Sequence, residues 1–560
     1  MSVVRNFHLR LLQSGKIILA RPMFTGLVIS VIYMLLGNCG CKNVDNYSDS
    51  LIFRYNEDAT LATLDPAYIK SQSEIWVAQQ IYNGLVELDS VLKPLPSLAY
   101  RWEVSADGLV YKFFLRKKAY FINPIDTSVT LPVTAGDVAF SFGRIANPST
   151  ASPSAWIFSG KIDADLNKAF QTIGDSVFVL RLLSPDPTIL SLLGTVYCSI
   201  LPEKYVKNAP DFGHHPVGTG PFYLKYWEED VKLVMRKNLR YFEKVNGQSL
   251  PYLEAINVDF IKNKQTAFMQ FVAGKYDFFN GVEGSFKDEL LTRDGLLNPK
   301  YKGRFGMMKK PFLNTEYLGF WLGDTLNQQP NPLVNVHLRR ALALGVDRTA
   351  MIRYLRNGLG SAGNHGFVPP VLLKETTYGL SYNPELARKE LALSGYRDGK
   401  GLQELSLTTT ADYLDMAVFL KKSWADLGVN IKIDVQTGGM LRQMRNKGNL
   451  SIFRGSWIAD VPDAENYLAC FYSGNFSPNG PNYSHFSNPE FDNLYRQSFA
   501  AGDKRYSLMH KADSILIQSA PVLVLYYDQS LRLYQNQVTG LSNDASNRLI
   551  LKHVKKTTSR

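Results

Sequence analysis

Apolar and polar positions alternate along most of the chain in patterns that predict a mixture of helices and strands. EIWVAQQIYNGLVEL, residues 74–88, has the periodicity of a helix. Its shared face consists of apolar residues at helical spacing, Ile75, Ala78, Ile81, Tyr82 and Leu85. VYKFFLR, residues 110–116, alternates and carries β-branched and aromatic side chains, which predicts a strand.

The clearest local signals lie in the second half of the chain. In NPELARKELALSG, Asn383 is placed to cap a helix, Pro384 to occupy its first position and Gly395 to end it. A second helix is predicted over 414–427 and a strand over 429–436. Because helices and strands interleave without a repeat period, we expect an α/β or α+β fold with several sheets.

Composition adds limits on size and partners. The 560 residues, 45% of them hydrophobic, exceed one typical domain and suit two or three lobes. The formal net charge is +12, and four basic residues precede any acid within residues 1–38. Since no basic run is interleaved with aromatic residues, we expect no nucleic-acid partner and interpret the charge as a solvated surface.

The N-terminal segment indicates export. FTGLVISVIYMLL, residues 24–36, is too short for a typical membrane span and suits the apolar region of a signal peptide, predicted over residues 1–38. In LLGNCGCKN, which follows, Cys39 is the predicted site of lipid attachment and Cys41 the alternative. We therefore expect an exported protein that its lipid anchors to the cell membrane, although an ordinary secretory signal with two incidental cysteines is the other interpretation.

Signals of catalysis are weak. GLGSAG, residues 358–363, follows a predicted helix rather than a strand, so it lacks the context of a dinucleotide-binding turn. The histidines are scattered, and neither a G-x-S-x-G elbow nor a Walker A loop occurs. We expect no enzyme activity, no cofactor and no metal site.

Six phrases in a fixed order carry a resemblance to a known family. They are TLDPAYIKSQSEIWVAQQIYNGLVELD, LPSLAYRWEVSADGLVYKFFLRKKAYF, VTAGDVAFSFGRIANP, HHPVGTGPFYLKYW, NVHLRRALALGVDRTAMI and RGSWIADVPDAENYL. Together they resemble the family 5 extracellular solute-binding proteins that serve peptide and nickel ABC importers, with the oligopeptide-binding members most similar.

The resemblance implies an α/β fold like that of the periplasmic binding proteins, with two lobes that close on a ligand at a hinge and an additional domain beside lobe I. It implies that lobe I comprises residues 45–87, 200–310 and 525–560. The extra domain is then 88–199, and lobe III is 311–524.

The same resemblance assigns candidate ligand contacts near residue 460. The strand from Arg454 to Ile458, including Ser456, is expected to line the cleft, with Trp457 against the peptide. Asp460 is expected to pair with the peptide's α-ammonium group, since a buried ammonium needs an ionised partner. From residue types alone, a core position is the favoured interpretation of Trp457, and a turn before a helix capped by Asp463 is the favoured interpretation of Asp460.

Two arginines and one polar segment complete the predicted site. Arg445 and Arg454 match the spacing of two cleft arginines in oligopeptide-binding relatives, and an arginine fork suits a carboxylate. An exposed or acid-paired arginine is the alternative for Arg445. Ser71, Gln72 and Ser73 match the place where relatives offer a strand edge to the peptide backbone, and a polar loop is their alternative.

We therefore expect a substrate-binding lipoprotein of an ABC importer, a monomer that captures short peptides between two lobes and delivers them to permease subunits. A nickel chelate, an opine or a sugar is the alternative ligand, because the fold is shared among them. An exported peptidase and a surface receptor for peptide pheromones are the remaining alternatives.

Overall fold

The largest sheet of the computed structural model runs through both lobes. The structure describes residues 51–326, 328–374, 378–448, 450–459 and 461–557, and within them this sheet has eleven strands. In chain order they are β1 (Ile52–Glu57), β2 (Phe222–Glu228), β3 (Lys232–Lys237), β4 (Ala255–Phe260), β5 (Phe278–Asn280), β6 (Phe305–Phe320), β7 (Ser361–Ala362), β8 (Leu405–Thr409), β9 (Ile431–Val435), β10 (Ile452–Ile458) and β11 (Val522–Gln535). Their spatial order is β2-β3-β4-β1-β5-β11-β6-β10-β8-β9, and β7 pairs with β11.

The smaller sheets surround this one. A four-stranded sheet in the extra domain has the order Ala99–Val104, Val110–Leu115, Val177–Arg181 and Phe170–Ile173. The remaining strands form two-stranded pairs, Val86–Leu88 with Pro94–Pro96, Tyr120–Ile122 with Thr130–Pro132, Lys244–Val245 with Gln248–Ser249, Thr325–Leu326 with Gln329–Pro330, and Val538–Thr539 with Lys555–Lys556.

Helices pack around the sheets. They are α1 (Gln72–Ile81), α2 (Ala135–Ala146), α3 (Leu166–Ala169), α4 (Ile189–Leu193), α5 (Glu203–Val206), α6 (Lys264–Val272), α7 (Lys287–Leu290), α8 (Val336–Leu344), α9 (Arg348–Leu355), α10 (Pro384–Leu393), α11 (Leu414–Ala425), α12 (Gly438–Lys447), α13 (Ala464–Leu468), α14 (Pro489–Gln497) and α15 (Arg505–Ser519). Within the described ranges, none of these helices has the length and apolar character of a membrane span.

Two long strands cross between the lobes. β6 has 16 residues and β11 has 14, and the two are antiparallel neighbours. Their register shifts between Pro311 and Thr315. Proline has no backbone N–H and cannot donate to the ladder, so the pairing is weakest at this point. Residues 312–314 of β6 therefore have no partner on β11. Leu313 bonds instead with Ala545 and Ala459, and Asn314 pairs with Ile458 of β10.

Hydrophobic clusters join side chains from distant parts of the chain. Phe53 of lobe I and Phe113 of the extra domain belong to one cluster, so these two parts share a core. Lobe III has two clusters, one centred on Trp424 of α11, whose indole N–H donates to the Leu342 carbonyl at 2.9 Å. The exact domain boundaries stay a prediction.

Most locally encoded elements match their predictions. The strand predicted over 110–116 is Val110–Leu115, and α10 has Asn383 as its cap. Asp463 caps α13, accepting from the Glu465 backbone at 2.8 Å. The predicted helix over 74–88 is wrong at its end, because α1 stops at Ile81 and Val86 begins a strand.

Candidate functional site

A cavity of about 120 Å³ lies where the two lobes and the extra domain meet. Gln72, Ile75 and Gln79, spaced along one face of α1, form its lobe I wall. Ile458 and Ala459, at the end of β10, form its lobe III wall. We call this space the interlobe cavity. It brings together Gln72 and Ile458, two of the residues predicted from the sequence.

The part of β6 that has no partner on β11, residues 312–314, lies between these walls. Phe312 lines it directly. Next to it, the Leu313 N–H donates to the Ala545 carbonyl at 2.8 Å, and the Leu313 carbonyl accepts from Ala459 N–H at 2.9 Å. One residue of β6 thus holds the C-terminal segment and the end of β10 beside each other.

The predicted strand edge at residues 71–73 is wrong in its secondary structure, because these residues start a helix. The Ser71 side chain accepts from Glu74 N–H, and the Glu74 carboxylate accepts in return from Ser71 N–H at 2.9 Å. This reciprocal capping box fixes the first turn of α1. Gln72 faces the interlobe cavity, whereas the Ser71 hydroxyl is engaged in the cap.

Ser73 faces the interior of lobe I. Its side chain is buried and donates to Glu57 Oε2 at 2.6 Å. Burial raises the pKa of Glu57 to about 8, even though the Ser73 hydroxyl acts in the opposite direction. The structure therefore gives Ser73 a buried partner and does not bring it to the interlobe cavity.

The pleat of β10 separates its predicted ligand residues. Arg454, Ser456 and Ile458 alternate onto one face, and Trp457 lies on the other. Ile458 is 54% exposed and borders the cavity. The Trp457 indole N–H donates to Asn466 Oδ1 at 3.0 Å, and the ring packs on a lobe III cluster. Trp457 is thus not a lining residue of the interlobe cavity.

Arg454 is committed to a partner on the neighbouring strand. Its Nη2 lies 2.7 Å from Glu316 Oε2, and its guanidinium carbon lies 3.6 Å from the centre of the Tyr413 ring. Burial opposes charging of Arg454, but Glu316 and Tyr413 outweigh it and raise the arginine pKa. The fork predicted for a ligand carboxylate is thus already neutralised by a protein carboxylate.

The pair belongs to a wider polar cluster on the crossing strands. The Asn314 side chain donates to Glu316 Oε1 at 3.1 Å and accepts from the Ser456 hydroxyl at 2.9 Å. Nearby, Arg356 and Asp528 form an ion pair at 2.7 Å. Ser456 is therefore bonded within the protein and does not line the interlobe cavity.

Arg445 also lies away from the interlobe cavity. Its guanidinium carbon is 3.9 Å from the centre of the Tyr483 ring, and its Nε has no hydrogen-bond partner among the described residues. Arg445 is half-buried rather than facing solvent, and its predicted contact with a ligand carboxylate stays a prediction. Asp460, Cys39 and Cys41 lie outside the described residues, so their predicted roles stay predictions.

Within the described ranges, no three His, Cys, Asp or Glu side chains are grouped so as to hold a metal ion.

A family model described as bacterial extracellular solute-binding proteins, family 5 middle, matches residues 93–479. The chain belongs to this family. Membership confirms the predicted two-lobed fold and the expectation that this family 5 protein is a solute-binding protein and not an enzyme. The family description also supports export.

Several relatives of this family 5 protein are similar over most of their length. The dipeptide-binding protein of Escherichia coli (strain K12) is 24% identical over 481 residues, 82% of this chain and 86% of that protein. Heme-binding protein A of Haemophilus influenzae is 26% identical over 463 residues, 79% and 81% of the two chains. The periplasmic oligopeptide-binding protein OppA of Salmonella typhimurium is 26% identical over 514 residues, 87% and 88%.

A solved structure supports the fold independently. HbpA2 from Haemophilus parasuis superposes with a TM-score of 0.78 at 21% identity, covering 90% of this chain and all of that one. At that level of identity the likeness concerns the fold alone. The overall fold of this family 5 protein is thus shared with a solved structure.

Sequence reasoning missed several residues of the cavity wall. Arg548 is the most constrained of them, donating to the carbonyls of Leu88 at 2.9 Å and Asp89 at 2.7 Å and to Asp544 Oδ2 at 3.0 Å. Gln79 could have been found, since it lies seven residues after Gln72 and hence on the same helical face. Nothing in the local sequence of Arg548 indicates that it lines the same cavity as α1.

Proposed function

We propose that this family 5 protein captures a short peptide in the interlobe cavity and delivers it to the permease subunits of an ABC importer. The observation that carries this proposal is that one cavity is lined by α1 of lobe I and by the end of β10 in lobe III. A ligand that touches both walls binds the closed arrangement better than the open one, and so shifts the population toward closure. The permease would then recognise the closed form.

The names of the relatives support a peptide as the solute. Two of them are named for dipeptide and oligopeptide binding. A peptide in this site would meet the polar side chain of Gln72 and the apolar side chain of Ile458, and Asp460 follows the lining residue Ala459 in the chain. We propose that Asp460 pairs with the α-ammonium group, a charge-assisted hydrogen bond that contributes about 1.5 to 3 kcal/mol.

Calorimetry with di- to pentapeptides tests the proposal. Ile458→Trp adds bulk at an exposed position of the cavity wall, so we expect peptide affinity to fall at least about tenfold while the melting temperature is unchanged. Ile125→Trp is the matched control, because Ile125 is 87% exposed and does not line the interlobe cavity. Peptide binding that is unaffected by Ile458→Trp would place the ligand elsewhere.

The same assay tests the role of Asp460. Asp460→Ala should weaken peptides with a free α-amine about tenfold or more and leave N-acetylated peptides unchanged. Equal losses for both kinds of peptide would show that the aspartate does not recognise the ammonium group.

A non-peptide solute is the alternative, because one relative is named for heme binding. Haemin, a nickel chelate, an opine and a sugar are therefore included as ligands in the same titrations. Micromolar binding of one of these with no peptide binding would replace the peptide proposal.

We also propose that the protein is a lipoprotein anchored through Cys39, with Cys41 as the alternative. The support is the apolar segment that precedes both cysteines. Expression of Cys39→Ser and Cys41→Ser variants, followed by membrane fractionation and intact mass, tests this. We expect Cys39→Ser to release the protein from membranes, whereas release by Cys41→Ser alone would reassign the anchor.

A further inference from the structure

A second, larger cavity adjoins the interlobe cavity. It has a volume of about 270 Å³ and shares with its neighbour a wall that includes Gln79, Leu88 and Arg548. Small-ligand sites are typically about 300 Å³ or more, so the interlobe cavity alone is small for a peptide. We call the second cavity the polar chamber. Its position makes it the natural continuation of the ligand site.

Two side chains that line the polar chamber have polar atoms without partners. Ser97 is 1% exposed, and its hydroxyl has no hydrogen-bond partner among the described residues. The same holds for Oε1 of Gln79, which lies on the wall shared by the two cavities. Buried polar groups are nearly always hydrogen-bonded, so two such atoms on residues that line one cavity indicate a polar guest. Gln79 Oε1 can only accept, which requires a donor from the guest.

The ionised groups of the chamber favour a cation. Lys552 lies 2.7 Å from Glu87 and 2.6 Å from Glu243, so one ammonium serves two carboxylates. Burial, together with the neighbouring Glu243 carboxylate, raises the pKa of Glu87 despite Lys552. Glu87 lines the chamber and keeps about a third of its side chain exposed. It is therefore a carboxylate that a second cation can reach.

The other charged groups of the chamber do not offset this excess of negative charge. Arg548 is neutralised by Asp544, with which it forms an ion pair at 2.9 Å. His553 carries no charge at neutral pH, because burial and then Lys552 lower its pKa. The charged groups in and directly behind the chamber wall are four carboxylates and two cations, Glu87, Asp89, Glu243, Asp544, Arg548 and Lys552.

We propose that the polar chamber is a second compartment of the ligand site, which binds a cationic N–H donor of the peptide, an ammonium or a guanidinium, through Glu87, Gln79 and Ser97. This inference rests on the proposed function of peptide binding. Gln72 and Gln79 are two helical turns apart, about 10 Å. Two to three extended residues span that distance, so one short peptide can occupy both cavities.

The experiment compares peptides that differ in a single charge. Ala-Lys-Ala, Lys-Ala-Ala and Ala-Ala-Lys are titrated by calorimetry beside the same peptides with norleucine in place of lysine. Each is also used in N-acetylated form, which separates a side-chain ammonium from the terminal one. We expect lysine to improve affinity about tenfold or more at one position, and acetylation to leave that preference intact if the side chain is the guest.

Three variants test the contacts. Glu87→Gln should reduce the lysine preference to within about twofold, and it should affect N-acetylated norleucine peptides less than N-acetylated lysine peptides. Glu243→Gln is the matched control, because Glu243 also pairs with Lys552 but does not line the chamber. It should reduce the lysine preference less than Glu87→Gln does. Ser97→Ala should lower the preference while leaving the melting temperature unchanged or higher, because it removes an unpartnered buried hydroxyl.

The outcomes separate this inference from the proposed function. If no peptide binds the wild type, both fail. If peptides bind but lysine and norleucine are equal, and Glu87→Gln affects neither free nor acetylated peptides, this inference alone is overturned. A dependence on Glu87 that is confined to peptides with a free α-amine would identify the terminal ammonium as the guest. A lysine preference that persists in Glu87→Gln would contradict the inference that Glu87 binds the cation.

Discussion

Removal of Arg454 distinguishes a structural arginine from a ligand-binding one. Glu316 is 2% exposed, and its carboxylate lies 2.7 Å from Arg454 Nη2. Arg454→Met would leave that carboxylate buried without its cation, which costs about 3 to 5 kcal/mol. Because whole domains are stable by only about 5 to 15 kcal/mol, the loss should be plain in urea unfolding at neutral pH. Peptide affinity should change little for the fraction that stays folded.

A double variant provides the control. Arg454→Met combined with Glu316→Gln removes both charges while keeping an amide oxygen to accept from Asn314. Since replacing both members of a buried pair is often close to neutral, we expect most of the lost stability to return. Peptide affinity of the double variant should stay within about threefold of wild type. An Arg454→Met protein of unchanged stability that no longer binds peptides would refute this reasoning and restore the arginine to the ligand site.

The remaining predictions concern titration and capping. The pKa of Glu57 is raised from its ordinary 4.5 to about 8, so the folded state holds a proton that the unfolded state has released, and this carboxyl lowers stability as pH rises between those values. Urea unfolding of wild type and Glu57→Gln should be measured at pH 5 and pH 8. Between these values the free energy of unfolding of wild type should fall relative to that of Glu57→Gln by up to about 1.4 kcal/mol per pH unit. Equal pH dependence of the two proteins would contradict this. Asn383→Ala should cost about 1 kcal/mol through loss of the α10 cap, whereas Asn383→Asp should be nearly neutral, as measured by the shift in urea midpoint.

Features encoded by near neighbours could be predicted from the sequence. The cap at Asn383, the turn at Gly395 and the cap at Asp463 depend on residues within one turn, and all three match the structure. The end of α1 did not follow its pattern. Leu85 continues the helical spacing, but Gly84 packs so closely that an added Cβ would lie 3.0 Å from the Leu193 carbonyl oxygen. That approach comes from the extra domain, which a local pattern does not contain.

The site was harder to predict because its chemistry depends on distant partners. Arg454 and Ser73 have the residue types of ligand contacts, but Arg454 Nη2 is paired with Glu316 and the Ser73 hydroxyl donates to Glu57. Glu316 comes from a neighbouring strand far away in sequence, and strand register decides that meeting. Gln72 and Ile458 were predicted by resemblance, and the structure brings both to one cavity.

Mass spectrometry of the small molecules released from the purified exported protein tests the central claim most directly. The account predicts short peptides, recovered from wild type in near-stoichiometric amount and strongly depleted in Ile458→Trp. Recovery of a different solute class, or of peptides in equal amount from both proteins, would contradict a peptide site between the lobes.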